Sequence, residues 1–128
     1  AEFVQKLDNL EVKIISLSDT VGVSDNELIK NLFEVQIQAF PHIEFGAHLH
    51  SRRESIAEKV IAGLAGGCKR FDGALKGFGG CPMANDDLVG NMATEVMIET
   101  LEGEGHSLNL NKAELGESMK LANYVFQS

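Results

Sequence analysis

Ile43-Glu44-Phe45-Gly46-Ala47-His48-Leu49-His50 is the stretch on which the fold turns. Residues 43–48 are mostly apolar or small and read as a short buried strand. Two histidines spaced i, i+2 close it. Residues two apart on a strand share a face, so both imidazoles point the same way. They do so at the strand's C-terminal end, where α/β sheets and barrels gather their ligands. The same spacing also suits two polar loop residues, and the H-x-H alone does not choose.

Working outward, alternating elements flank this strand. Residues 2–9 read as the end of a helix, and the β-branched run 12–18 (VKIISLS) as a buried strand. Ser24 and Glu27 form a capping-box pattern, and apolar spacing through Leu28, Ile29, Leu32 and Phe33 predicts a helix over 25–39, stopped by Pro41. After the H-x-H, Ile56, Ala57, Val60, Ile61 and Leu64 share one face of a helix over 52–66, which Gly66 and Gly67 end. Residues 69–75 read as a third strand and 76–90 as a glycine-rich loop. Helices over 92–102 and 112–126 complete the chain, the last capped by Asn111 and Glu114. Strands separated by helices imply parallel crossovers. Two architectures satisfy that order: a small doubly wound sheet, or about the last three βα units of a (β/α)₈ barrel with an extra C-terminal helix. A whole barrel takes roughly 250 residues.

Composition narrows the partners. The net charge of −8 and the scattered lysines and arginines argue against a nucleic-acid backbone as ligand. No apolar run approaches the roughly 18 residues of a membrane span. The N-terminal AEFVQKLDNL has neither a basic region nor a continuous apolar one, and it lacks an initiator Met, so a targeting signal is not assessable. With 44% hydrophobic residues and two cysteines, free thiols in a reducing compartment are expected, cytoplasmic in a bacterium.

Three further motifs bear chemistry. Gly77-Phe78-Gly79-Gly80-Cys81-Pro82 puts a thiol on a glycine-rich loop. A thiol can exchange protons near neutral pH once its surroundings tune it, although a plain surface turn accounts for the run equally well. The run lacks the spacing of a dinucleotide fingerprint or a P-loop. Gly90-Asn91-Met92-Ala93-Thr94-Glu95 places Asn91 as a helix N-cap or, through its side-chain oxygen, as a ligand to a hard cation. Ser18-Asp19-Thr20 offers a carboxylate at a strand end for proton transfer or for an Asx turn.

Taken together and in order, S-x-D-T-x-G, H-x-H, D-x-x-x-x-G-x-G-G-C-P and G-N-x-A-T-E resemble the C-terminal part of the hydroxymethylglutaryl-CoA lyase family, from about residue 11 to the final helix. The resemblance implies a TIM barrel with added C-terminal helices, of which this chain is one fragment. It implies cleavage of an acyl-CoA thioester, 3-hydroxy-3-methylglutaryl-CoA, to acetoacetate and acetyl-CoA with Mg²⁺ or Mn²⁺. His48, His50 and Asn91 match metal ligands. Cys81 matches the catalytic loop cysteine, Asp19 matches an acidic residue important for activity, and His48 is placed at the reacting centre. A condensing or aldolase-type relative acting on an α-keto acid, and a non-catalytic structural fragment, are the other readings; Cys81 favours the lyase. Ser51-Arg52-Arg53-Glu54 stands where the family usually has Asp-Thr-x-Gly, and the segment between Cys81 and Asn91 is one residue longer. The metal-binding aspartate and catalytic arginine of the family's first strand are not in this sequence. The chain alone is therefore expected to be inactive, to hold metal weakly, and to self-associate or to await the other half of its barrel.

Overall fold

The computed structural model describes residues 2–79 and 89–126. Three strands lie side by side among them: β1 (Ile14–Asp19), β2 (Glu44–Leu49) and β3 (Arg70–Asp72). The order is β1-β2-β3 and both pairings are parallel. Helix α2 (Asn26–Ala39) connects the first pair and α3 (Ile56–Ala65) the second. Helix α1 (Glu2–Asp8) precedes the sheet; α4 (Thr94–Gly103) and α5 (Lys112–Phe126) follow it.

The two faces of this sheet differ. Phe45, Ala47 and Leu49 of β2 and Ile15 of β1 are buried against Ile29 and Phe33 of α2, Ile56 and Val60 of α3, and Met97 of α4. The opposite face carries Ile14, Ser16, Ser18 and Glu44, all exposed, with His48, Arg70 and Asp72 half-buried. A doubly wound sheet would cover both faces with helices. A sheet with helices on one side and a polar face on the other is a barrel wall seen from inside. Helix α2 also leaves Leu28, Leu32 and Val35 exposed beside an apolar groove of about 290 Å³ walled by Leu17, Ile29 and Phe33.

Several boundaries depart from the sequence reading. The cap of α2 is Asp25, whose carboxylate accepts from Leu28 N at 2.8 Å; Ser24 is committed to Asp19 instead. The predicted helix over 52–66 opens as a 3₁₀ turn at Arg53–Ser55 and becomes α-helical at Ile56. Strand β3 stops at Asp72, because residue 74 trades sheet pairing for the segment before α4: Ala74 N donates to Met92 O at 3.1 Å and Thr94 N to Ala74 O at 2.9 Å. The expected loop from 76 begins inside a 3₁₀ turn, Leu75–Gly77. Helix α4 starts at Thr94, so Asn91 is not its N-cap; that position is Ala93, which makes no side-chain cap. The final helix keeps its predicted bounds, and Asn111 Oδ1 accepts from Ala113 N and Glu114 N.

Candidate metal centre

Strand alternation builds the site. His48 projects from the inner face in register with Ser18 and Asp72. His50, two residues on, follows it to the same rim; the ring centroids are 5.7 Å apart at 69°. His50 is 5% exposed, and its Nδ1 lies 2.9 Å from the carbonyl oxygen of Val89. A carbonyl only accepts, so Nδ1 carries the proton in the neutral ring. Nε2 is then left with its lone pair, the form that ligates a metal.

Asn91 is brought to the same rim by backbone pairing that sequence reading missed. It forms an antiparallel bridge with His50, supported by Ser51 N donating to Gly90 O at 3.1 Å. Its side-chain amide donates to Phe78 O at 3.0 Å and Gly79 O at 3.4 Å. The nitrogen is thereby spent, and Oδ1 is the atom it offers a cation. Gly77 and Gly79 make this embrace possible: both have positive φ, and a Cβ on Gly79 would stand 2.9 Å from the Asn91 amide nitrogen. Two imidazole nitrogens and one amide oxygen suit a divalent cation as part of its shell. A hard dication also wants carboxylate oxygen, and no group of three or more His, Cys, Asp or Glu among the described residues could hold one.

Asp19 does not join this cluster. It pairs in register with Leu49, not His48, and so turns to the helix side. Its carboxylate accepts from Gly22 N at 2.8 Å, Ser24 N at 2.7 Å and Ser24 Oγ at 2.5 Å. Burial works to raise its pKa, but the Ser24 and Gly22 hydrogen bonds and the nearby Lys59 ammonium outweigh it and bring it down to about 2. Glu95 is held similarly. Burial pushes its pKa up, and Arg53 at 2.8 Å with Lys76 N at 2.9 Å turns the balance downward. Ser16 Oγ donates to Asp72 at 2.9 Å on the inner face below His48. Cys81 lies outside the described residues. Cys68 is buried, and burial pushes its thiol up to about 11. Lys59 was not singled out in the sequence, yet it is buried behind His50. Its place three residues after Ile56, on the apolar face of α3, was the available signal.

A profile of the HMGL-like family matches residues 1–125. The chain belongs to the HMGL-like family. It is 32% identical over 111 residues to the hydroxymethylglutaryl-CoA lyase of Pseudomonas mevalonii, covering 87% of this chain and 36% of that one. It is 30% identical over 128 residues to the mitochondrial enzyme of Pongo abelii, covering 38% of it. Two HMG-CoA lyase structures superpose on 96% of the chain. One is from Bacillus subtilis, with TM-score 0.84, 27% identity and 41% of its length covered. The other, from Acinetobacter baumannii, was solved with coenzyme A and 3-methylmalate and gives TM-score 0.83, 26% identity and 40% coverage. This HMGL-like chain thus spans about two fifths of those relatives, and its sheet and helices correspond to part of their TIM barrel. The carboxyl transferase domain of Rhizobium etli pyruvate carboxylase, with TM-score 0.77 at 19% identity, shares the fold alone.

Proposed function

We propose that this chain supplies the metal-binding rim of a carbon–carbon lyase that cleaves 3-hydroxy-3-methylglutaryl-CoA to acetoacetate and acetyl-CoA, within a barrel completed by βα units outside this sequence. The observation that supports it is the gathering of His48, His50 and Asn91 at one rim, with the ligating atoms of His50 and Asn91 preselected by second partners. His48 Nε2 or Nδ1, His50 Nε2 and Asn91 Oδ1 would hold Mg²⁺ or Mn²⁺. Such an ion, when bound, lowers the energy of negative charge on substrate oxygens as a Lewis acid.

The reaction itself is a retro-Claisen cleavage. A base takes the proton of the tertiary alcohol, the bond to the thioester's α-carbon breaks as the ketone forms, and the acetyl-CoA enolate takes up a proton. In this reading Cys81 delivers that last proton, a thiol being able to give one near neutral pH when its surroundings lower its pKa from roughly 8.5. His48 stands at the reacting centre. Asp19 serves as a positioning residue, because its carboxylate is spent on the β1–α2 turn. The free Cys68 suits a reducing compartment such as the cytoplasm. The test is release of acetyl-CoA from hydroxymethylglutaryl-CoA by the complete barrel. We expect Cys81→Ala and His50→Ala to abolish it. Condensation of an α-keto acid with acetyl-CoA, in place of cleavage, would overturn the assignment.

A further inference from the structure

Three elements meet at the backbone carbonyl of His50. Lys59 reaches it from α3, with Nζ at 3.2 Å, and the same ammonium donates to Gly22 O in the β1–α2 turn at 3.0 Å. The Asp19 carboxylate stands 3.9 Å from that nitrogen. On the other side of the residue, His50 N donates to Asp19 O at 3.0 Å. The turn lies flat on this peptide: Gly22 has φ +76°, and a Cβ there would sit 3.0 Å from the His50 oxygen. The Lys59 side chain is only 6% exposed.

Burying an ammonium is costly, and an apolar side chain would fill the same space without that cost. What the ammonium adds is direction. Its protons reach two carbonyls on separate elements and face one carboxylate. The peptide on either side of His50 is thereby clamped, while Val89 O fixes the ring. Rotation of that peptide would swing the imidazole away from His48.

We infer that Lys59 is a positioning residue for His50, locking the end of β2 against the β1–α2 turn so that the two imidazoles share one cation. The inference rests on the reading of His48 and His50 as cation ligands. It uses the ammonium as a fixed donor.

The test titrates Ni²⁺, which favours imidazole nitrogen, into the 128-residue chain by calorimetry. Imidazole ¹⁵N shifts and urea unfolding are followed in parallel. Lys59→Met removes the donors and keeps the length; Lys59→Arg keeps the donors. Removing outer-shell partners typically weakens metal sites about 10–100-fold. We expect Lys59→Met to bind Ni²⁺ at least about tenfold more weakly, with shifted His50 resonances, and Lys59→Arg to stay within about threefold of wild type. Wild-type affinity and unmoved His50 shifts in a folded Lys59→Met chain would overturn the inference. If that variant does not fold, Lys59→Arg decides, and a loss as large as that of His50→Ala refutes it. A His48→Ala/His50→Ala chain that still binds Ni²⁺ like wild type would instead remove the cation reading beneath it.

Discussion

Replacing Asp19 by Ala tests how the rim is held. The carboxylate accepts from Gly22 N, Ser24 N and Ser24 Oγ at 2.5–2.8 Å, and from Val21 N at 3.3 Å. Hydrogen bonds to a charged group contribute about 1.5–3 kcal/mol each, but these share one acceptor and do not add. The substitution also leaves Lys59 buried without its counter-charge, and breaking such a pair costs about 3–5 kcal/mol. The Asp19 side chain is only 13% exposed, so solvent screens little of this. We therefore expect Asp19→Ala to lose about 3–5 kcal/mol, a large part of the ~5–15 kcal/mol typical of a domain. The pH dependence follows from the same contacts. The folded pKa of about 2 lies below the ordinary 3.8, so the stabilisation is complete above pH 3.8 and is lost as pH falls through 2. It amounts to about 2 kcal/mol, and Asp19→Asn should lack it. Urea unfolding followed by circular dichroism from pH 7 to pH 2 reads both effects. Asp19→Ala within about 1 kcal/mol of wild type, or an unchanged acid limb in Asp19→Asn, would refute the reasoning.

Three more expectations follow from packing. A Cβ on Gly66 would stand 2.5 Å from Lys30 O and 2.9 Å from Phe33 Cβ, so Gly66→Ala should destabilise by about 1–3 kcal/mol, as overpacking does, in the same urea assay; a neutral change counts against the α2–α3 packing described. Cys68, its thiol pushed up to about 11 by burial, should resist iodoacetamide at pH 8 until urea unfolds the chain, and peptide mass spectrometry showing rapid labelling at Cys68 itself in the folded protein would contradict its placement. The exposed Leu28, Leu32 and Val35 of α2 should make the isolated chain self-associate, and a stable monomer by light scattering at high concentration would remove that expectation.

Much of this fold was legible because its signals are local. The β-branched run at 14–15, the apolar spacing of Ile29 and Phe33, and the Asn111 cap all depend on neighbours in sequence. The choice between barrel and doubly wound sheet was not local. Element order left it open, the motif resemblance pointed to the barrel, and the uncovered Ser16, Ser18 and Glu44 of the assembled sheet agree with that. The site divides the same way. The i, i+2 spacing put His48 and His50 on one face without tertiary information. Asn91 looked like a helix cap because N-cap chemistry and metal-ligand chemistry use the same side chain. Its bridge to His50 joins residues 41 positions apart in sequence, which no periodicity reports. Asp19 carried two readings for a similar reason, and the parity of β1 decides its direction: it points with Ile15 and Leu17 toward the helices. Lys59 was hidden among apolar neighbours, where a charge is the exception that needs a partner.

Mn²⁺ affinity of the completed barrel, read from the resonance signal of the free ion, tests the central claim most directly. The account predicts at least tenfold weaker binding for His48→Ala, His50→Ala and Asn91→Ala alike, by analogy with the loss of even outer-shell partners. Affinity undiminished in all three would show that the ion sits elsewhere.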